Sequence, residues 1–373
     1  MYYTITIFFT QHICLSYNLI MGKEKKILII RLGALGDVVM TTIIASAIKQ
    51  KHPDYEIHYL TQIEIAPILE NHPHIDKVIT WNTKNRKSIK QLLETGKNLF
   101  NERYDIVFNL TNAIRNILLS LMCCSKKIVN RKYTKGSWID DFFQTAKSVI
   151  KDIEQPERLY LGINKDSQKK IENFLKDYQK PHIAIIAGGA TDRSRQGRIW
   201  NIQNWKKLIE KLQNLYGGTI FVCGGKSEKK YHEQLATNNV IICSGNFNIS
   251  ESNAMFKEMD LMLSGDTGPA HISSAHNIKT LTLLGSTSPN KIKPYGKNGY
   301  YISSDDDCKY CWKKKCKFLK EGEKYTPCME HITVDMKPIV KVHDAVSTTT
   351  VSSTNSNSIS VFVVFAVYRK KTT

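Results

Sequence analysis

The strongest constraint on the fold of this chain is a local pattern that occurs twice: an apolar strand-like run, a turn of glycines and a helix-like run. The first instance covers residues 27–31, then a glycine turn, then residues 38–51. The second begins at residues 182–187 and continues into Gly188 and Gly189. After each instance strand-like and helix-like runs keep alternating, which is typical of a parallel sheet covered by helices on both faces. The sequence therefore predicts two doubly wound α/β domains with a ligand-binding cleft between them.

The domain boundaries follow from local shifts in composition along the 373 residues. A polar stretch that contains Pro156 predicts the connection between an N-terminal domain, residues 21–155, and a C-terminal domain, residues 156–346. Residues 1–20 fit no targeting class, so we expect an extension there, with Met21 as the working start. Residues 347–373 are rich in Ser, Thr and Asn, which favours either a disordered terminus or a weak membrane-surface anchor.

The positive charge of the chain is concentrated in one part of the sequence. The formal net charge is +19, and between Lys84 and Lys135 twelve Lys and Arg residues face three acidic residues. This concentration of positive charge either is a solvated surface or produces an electric field that attracts an anionic partner. Aromatic residues are not interleaved with the basic ones as a stacking platform for bases requires. We therefore expect an anionic lipid or membrane surface as the partner, and no nucleic acid.

A later strand-like run ends in the sequence Ser264-Gly-Asp-Thr-Gly-Pro-Ala-His271. Asp266 or Thr267 could cap the following helix, and Pro269 suits its first turn. A helix N-terminus next to glycines is able to hold a diphosphate, because its N–H groups point at the ligand. The alternative is an ordinary junction between a strand and a helix.

The first glycine turn carries an acidic residue, in the sequence Arg31-Leu-Gly-Ala-Leu-Gly-Asp37. Its glycines are three residues apart and a third glycine is missing, so the dinucleotide fingerprint G-x-G-x-x-G is absent. This absence disfavours a Rossmann dehydrogenase. Asp37 either caps the following helix or acts as a general base.

Two further glycine turns follow strand-like runs of the second domain. The first is Ala187-Gly-Gly-Ala-Thr191, and three arginines come within a few positions of it: Arg193, Arg195 and Arg198. Guanidinium groups suit phosphate oxygens, although exposed arginines are also ordinary surface residues. The second turn is Gly224-Gly-Lys-Ser-Glu228, which is either a ribose or base contact or a turn with a cap.

Four of the nine cysteines are clustered with the spacing C-x2-C-x4-C-x11-C, at Cys308, Cys311, Cys316 and Cys328. A group of four cysteine thiolates that begins with a C-x2-C pair is a common tetrahedral site for zinc or iron. The predicted use is structural, because four protein ligands leave no open coordination position. The alternatives are free thiols or disulfides, and disulfides are disfavoured in a cytoplasmic protein.

Taken in order, these motifs resemble those of glycosyltransferase family 9, which contains the ADP-heptose:lipopolysaccharide heptosyltransferases. The resemblance runs from Lys26 to about Met336. It includes the segment from Asp266 to His271 and the sequence Leu284-Gly-Ser-Thr-Ser-Pro-Asn-Lys-Ile-Lys-Pro-Tyr-Gly296. It implies a GT-B fold, inversion at the sugar carbon and no catalytic metal. The sequence shows no convincing secretory signal and no run of about 20 apolar residues, so we expect a cytoplasmic protein that contacts the inner membrane peripherally.

The resemblance also implies roles for individual residues. The N-terminal domain would bind an anionic glycolipid acceptor, and the C-terminal domain would bind the nucleotide-diphosphate sugar. Asp37 would be the catalytic base. The donor contacts implied are Thr191, Arg198, Glu228, Asp266, Thr267, Gly268 and His271. The sugar is heptose from ADP-heptose or, alternatively, another nucleotide sugar of the same family.

Overall fold

The computed structural model describes residues 25–84, 88–188, 198–304, 306–308, 310–313 and 315–334, and the strand Ile359–Ser360. The chain divides into two compact units between Lys165 and Asp166. The sheet of each unit is entirely parallel, as the alternating pattern predicts. The predicted doubly wound α/β class is confirmed.

The first unit is built on a five-stranded sheet in the order β3-β2-β1-β4-β5. Its strands are β1 (Lys26–Ile30), β2 (Glu56–Gln62), β3 (Lys77–Trp81), β4 (Ile106–Asn109) and β5 (Lys127–Asn130). Its helices are α1 (Leu35–Lys51), α2 (Ile89–Glu102), α3 (Ile114–Met122) and α4 (Trp138–Lys147), with a short 3-10 helix at Ala66–Leu69.

The centre of the first unit is almost completely buried. All residues from Val38 to Ile48 of α1 are buried, and α1 is therefore a core helix without a solvent face. Strand β1 is also buried on both faces from Ile27 to Ile30, as expected of a central parallel strand. These two elements fix the turn between them, which carries the predicted base.

The second unit contains a six-stranded sheet in the order β11-β10-β9-β6-β7-β8. Its strands are β6 (His182–Ile186), β7 (Thr219–Val222), β8 (Val240–Ile242), β9 (Leu261–Gly265), β10 (Lys279–Leu284) and β11 (Gly299–Ser303). Its helices are α5 (Lys165–Leu175), which begins at the unit boundary, α6 (Ile202–Tyr216), α7 (Lys229–His232), α8 (Ile249–Lys257), α9 (Gly268–Ala275), α10 (Pro289–Ile292) and α11 (Pro327–Glu330). Short 3-10 helices lie at Lys226–Glu228 and Glu233–Leu235, and β12 (Ile332–Thr333) pairs with β13 (Ile359–Ser360).

The sequence predicts helices over residues 63–71 and 227–236, and both are shorter in the structure. In the first segment only Ala66–Leu69 form a 3-10 helix, because a helix that begins at residue 63 would need the N–H that Pro67 lacks, and Asn71 adopts a left-handed φ of 54°. Residues 227–236 are divided between the short 3-10 helices and α7. In that segment the Glu228 carboxylate turns back to accept a hydrogen bond from the backbone N–H of Gly225 at 2.7 Å.

Buried histidines make the stability of the fold sensitive to acid. Burial lowers the pKa of His72 to about 3 and the pKa of His232 to about 4. Both stay neutral in the folded chain, whereas the unfolded chain takes up protons as the pH falls below about 6.5. The contribution of the two neutral histidines to the free energy of unfolding is therefore complete above about pH 6.5 and is lost as the pH falls towards 4.

We expect the free energy of unfolding to decrease by about 2 kcal/mol for each of these histidines between about pH 7 and pH 5. Urea unfolding monitored by circular dichroism at the two pH values measures this. In His232→Asn the decrease should become smaller. An unfolding midpoint that does not change with pH in the wild-type protein would contradict the expectation.

Candidate active site

The carboxyl end of the first sheet has a topological switch point between β1 and β4. The chain continues from β1 to β2 on one side and from β4 to β5 on the other, and open α/β sheets bind ligands beside such a point. Arg31 directly follows β1, and its Nη1 donates a hydrogen bond to the carbonyl oxygen of Leu110, which follows β4, at 2.9 Å. Arg31 therefore connects the two strands at the switch point.

Asp37 lies in the first turn of α1, close to this point. The turn before it needs unusual backbone angles, with φ of 137° at Gly33 and 29° at Ala34. No side chain caps the helix, and the Asp37 carboxylate instead forms an ion pair with the Arg31 guanidinium. Asp37 therefore does not cap the helix in the structure. Its side chain is 17% exposed, so it remains accessible to a ligand.

The position of Asp37 is fixed from the core side as well. The Thr41 hydroxyl donates to the Asp37 carbonyl oxygen at 3.0 Å and also contacts the Tyr59 hydroxyl. Burial raises the pKa of Tyr59, so its hydroxyl stays protonated. The sequence motif contains Arg31, but its pairing with Asp37 was not predicted, because that contact depends on the turn geometry.

The second sheet has its own switch point, between β6 and β9. Asp266 follows β9, and its Oδ2 lies 2.8 Å from Nη2 of Arg198. A Cβ on Gly265 would lie 3.0 Å from the Arg198 carbonyl oxygen, so the glycine permits this close approach. Two predicted donor contacts, Arg198 and Asp266, are thus brought together as an ion pair.

The segment that carries Arg198 is anchored in the core. The indole N–H of Trp200 donates to the Ile332 carbonyl oxygen at 2.7 Å, and its ring packs edge-on against Trp205 at 4.9 Å between centroids. Both tryptophans are about 1% exposed. Arg198, two residues before Trp200, therefore extends from a segment that is fixed by the core.

The N-terminus of α9 follows Asp266 directly. Thr267 is the residue before the helix, yet its hydroxyl does not cap the helix and lies 2.7 Å from the Ser264 hydroxyl. Gly268 begins α9 and His271 is buried in it at 4% exposure. The positive end of the helix therefore has no side-chain cap, which suits an anion.

Glu228 and a histidine that the sequence analysis did not select lie at the ends of β6 and β7. A Cβ on Gly188 would fall 2.1 Å from Glu228 Oε1, and one on Gly224 would fall 2.6 Å from His232 Cε1. His232 Nδ1 contacts the Ser244 hydroxyl at 2.6 Å, and its Nε2 is buried without a hydrogen-bond partner among the described residues. Sequence spacing gave no signal for His232. Thr191 lies outside the described residues.

The four clustered cysteines line one cavity of about 250 Å³ in the second unit. Burial raises the pKa of Cys308 and raises that of Cys328 to about 11, and the neighbouring thiols and Asp306 contribute. In the described ranges, however, no group of three or more His, Cys, Asp or Glu side chains has the convergence of a metal site.

The backbone around the first two of these cysteines has an unusual shape. Tyr310 and Trp312, on either side of Cys311, have left-handed φ angles of 60° and 55°. Their N–H groups donate to the carbonyl oxygens of Gly285 and Ser286, at 3.3 Å and 2.9 Å. The segment is therefore joined to the loop that follows β10.

Comparison with known proteins gives consistent results. The family model described as glycosyltransferase family 9 (heptosyltransferase) matches residues 92–321. Lipopolysaccharide heptosyltransferase 1 of Campylobacter coli is 26% identical, over 76% of this chain and 94% of the relative. A family 9 glycosyltransferase structure from Veillonella parvula has a TM-score of 0.70 at 19% identity, covering 77% of this chain and 89% of that one. The structure of ADP-heptose lipopolysaccharide heptosyltransferase II from E. coli has a TM-score of 0.66 at 17% identity, covering 83% and 95%.

Proposed function

The chain belongs to glycosyltransferase family 9, and we propose that it moves heptose from ADP-heptose onto the lipopolysaccharide core or a related envelope glycan, with inversion at the sugar carbon. The observation that carries the proposal is the uncapped N-terminus of α9 beside Arg198, at the switch point of the second sheet. The similarity to lipopolysaccharide heptosyltransferases 1 and 3 supports heptose as the sugar.

The second unit would bind the donor. When the bond to the sugar breaks, the leaving group is a diphosphate whose negative charge must be stabilised. The α9 N-terminus and the Arg198 guanidinium supply positive charge there without a catalytic metal. Thr267, Gly268 and His271 would contact the phosphates and the sugar, and Glu228 would contact the nucleoside. Thr191 remains a donor contact proposed from the family motif.

The first unit would bind the acceptor and supply the base. The attacking hydroxyl loses its proton as the new glycosidic bond forms, and the Asp37 carboxylate would accept that proton. A single displacement of this kind inverts the sugar carbon. The ion pair with Arg31 fixes the orientation of the carboxylate. The enzyme would work at the cytoplasmic face of the inner membrane, where a nucleotide sugar and a lipid-linked acceptor are both present.

Calorimetry with ADP-heptose, a UDP-sugar and NAD tests the donor assignment. We expect binding of ADP-heptose alone. Preference for the UDP-sugar would favour another family 9 activity, and binding of NAD would favour a dehydrogenase. Mass analysis of the lipopolysaccharide core from a deletion strain then identifies the missing sugar and the acceptor.

We propose in addition that Cys308, Cys311, Cys316 and Cys328 bind a structural zinc or iron ion. They share one cavity, and all four thiolates together would complete a tetrahedral site. The left-handed angles at Tyr310 and Trp312 support the proposal, because such angles cost about 1 kcal/mol or more each and persist where the surroundings enforce them. A bound metal would enforce them.

Elemental analysis of protein purified without oxygen is expected to give close to one zinc or iron per chain. Cys311→Ser should lose most of that metal and lower the melting temperature. Cys243→Ser, at a buried cysteine of the same unit, is the matched control and should keep it. Wild-type protein with neither metal near stoichiometry would rule the site out.

A further inference from the structure

Helix α3 buries Leu119 in the apolar core of the unit, yet most of its large apolar side chains lie on its exposed face. Its buried face includes the polar residues Asn116 and Ser120, which are each about 1% exposed. Four large apolar residues at positions i, i+3, i+4 and i+7 are instead exposed, by 78%, 41%, 41% and 46%: Ile114, Ile117, Leu118 and Leu121. A surface helix normally turns such a stripe towards the core. An exposed apolar stripe of this size marks an interaction surface.

The neighbouring helix α2 extends this surface. The two helices pack closely at Gly96, where an added Cβ would lie 2.0 Å from the Met122 side chain of α3. Beside that contact α2 exposes three apolar side chains that share one helical face: Ile89, Leu93 and Phe100. We call the seven exposed apolar residues of α2 and α3 the apolar patch.

Positive charge accompanies the apolar patch. Lys90 and Lys97 are exposed on α2 itself, and three more exposed lysines follow α3: Lys126, Lys127 and Lys132. The three acidic residues of the segment are paired with lysines. Glu102 lies 2.5 Å from both Lys26 and Lys77, Asp105 lies 2.7 Å from Lys126, and Glu94 lies 4.0 Å from Lys90. Two of the five exposed lysines, Lys90 and Lys126, take part in these pairs, and the excess of lysines over acidic residues makes the surroundings of the patch cationic.

The apolar patch begins close in sequence to the residues that hold the proposed catalytic base. Ile114, its most exposed residue, begins α3 a few residues after Leu110. The Leu110 carbonyl oxygen accepts the hydrogen bond from Arg31, which pairs with Asp37. The patch thus begins at the same edge of the sheet as the proposed catalytic base.

We propose that the apolar patch inserts into the surface of an anionic phospholipid bilayer, while the surrounding lysines contact the lipid phosphates. This inference rests on the proposed function, in which the acceptor is a glycolipid. Apolar side chains enter the boundary of the acyl chains, and each lysine near an anionic surface adds to the attraction. A second copy is a poorer occupant, because a two-fold interface would bring the same cationic surface against itself. Among the described residues no helix is long and apolar enough to cross a bilayer.

Vesicle sedimentation of the full chain tests the proposal. We expect binding to vesicles of phosphatidylethanolamine with phosphatidylglycerol, and much weaker binding to phosphatidylcholine alone. The double variant Ile114→Ser, Leu121→Ser should bind the anionic vesicles more weakly by on the order of tenfold. The variant Lys90→Gln, Lys97→Gln should lose affinity mainly for the anionic vesicles. Leu215→Ser changes an exposed apolar residue of the other unit, 54% exposed, and should bind as the wild type does.

Two further measurements distinguish loss of membrane binding from loss of fold or of donor binding. Thermal unfolding checks that the variants are folded. ADP calorimetry should give the wild-type affinity in all of them, and a protein that does not bind ADP would contradict the proposed donor function without affecting the vesicle result. Unchanged vesicle binding by the Ile114→Ser, Leu121→Ser variant overturns the proposal. A wild-type dimer that this variant dissociates, as measured by light scattering, would assign the patch to a second copy and also overturns it.

Discussion

Asp37→Asn is expected to reduce turnover by about 10²–10⁴-fold while the fold and the affinity for the donor stay intact. Asparagine has nearly the same shape as aspartate, and its side-chain oxygen can still accept a hydrogen bond from Arg31. It cannot, however, accept the proton of the acceptor hydroxyl. Steady-state kinetics with a saturating donor measure the loss, and calorimetry with ADP measures the donor affinity.

Asp140→Asn is the matched control for this change. Asp140 occupies the same position in α4 as Asp37 does in α1, the third residue of the helix, but it belongs to a capping box with Ser137. Its replacement should cost about 1 kcal/mol of stability and leave turnover unchanged. If Asp37→Asn behaves like this control, Asp37 is structural and Asp266 becomes the next carboxylate to test.

The fold could be predicted from the sequence to a large extent, because buried parallel strands are short continuous apolar runs that alternate with helices. The helices α4 and α8 were missed, although each carries a capping box that the sequence displays, Ser137 with Asp140 and Asn248 with Glu251. Strand β11 was missed for a different reason. Its residues are only partly buried, so the apolar signal of an edge strand is weak.

The candidate site was predictable at the level of motifs but not of contacts. Motif order selected Asp37, Arg198 and Asp266, because glycine turns after strands are local features. The pairing of Arg198 with Asp266 joins residues from distant parts of the chain, and it depends on the order of the strands. His232 carries no motif at all. Its environment is set by tight packing against the glycine turns, which only the folded chain displays.

The ion pair between Arg198 and Asp266 determines what the removal of Arg198 will do. The two side chains are 20% and 10% exposed, so their charges are largely shielded from water. In Arg198→Ala the donor diphosphate loses a charge-assisted hydrogen bond, which is worth roughly 1–3 kcal/mol. It also meets an Asp266 carboxylate that no longer has this cationic partner. We therefore expect a loss of donor affinity near the upper end of that range, about 100-fold.

A double-mutant cycle separates the two contributions. In Arg198→Ala, Asp266→Asn the repulsion is removed, so ADP should bind more tightly than to Arg198→Ala alone and more weakly than to the wild type. Arg158→Ala, at an exposed arginine that stacks on Tyr160, is the control and should leave ADP binding unchanged. Calorimetry with ADP measures the wild type, the single variants Arg198→Ala and Asp266→Asn, the double variant and the control. An unchanged affinity in Arg198→Ala would remove Arg198 from the donor site and leave Arg193 and Arg195, outside the described residues, as the arginines to test.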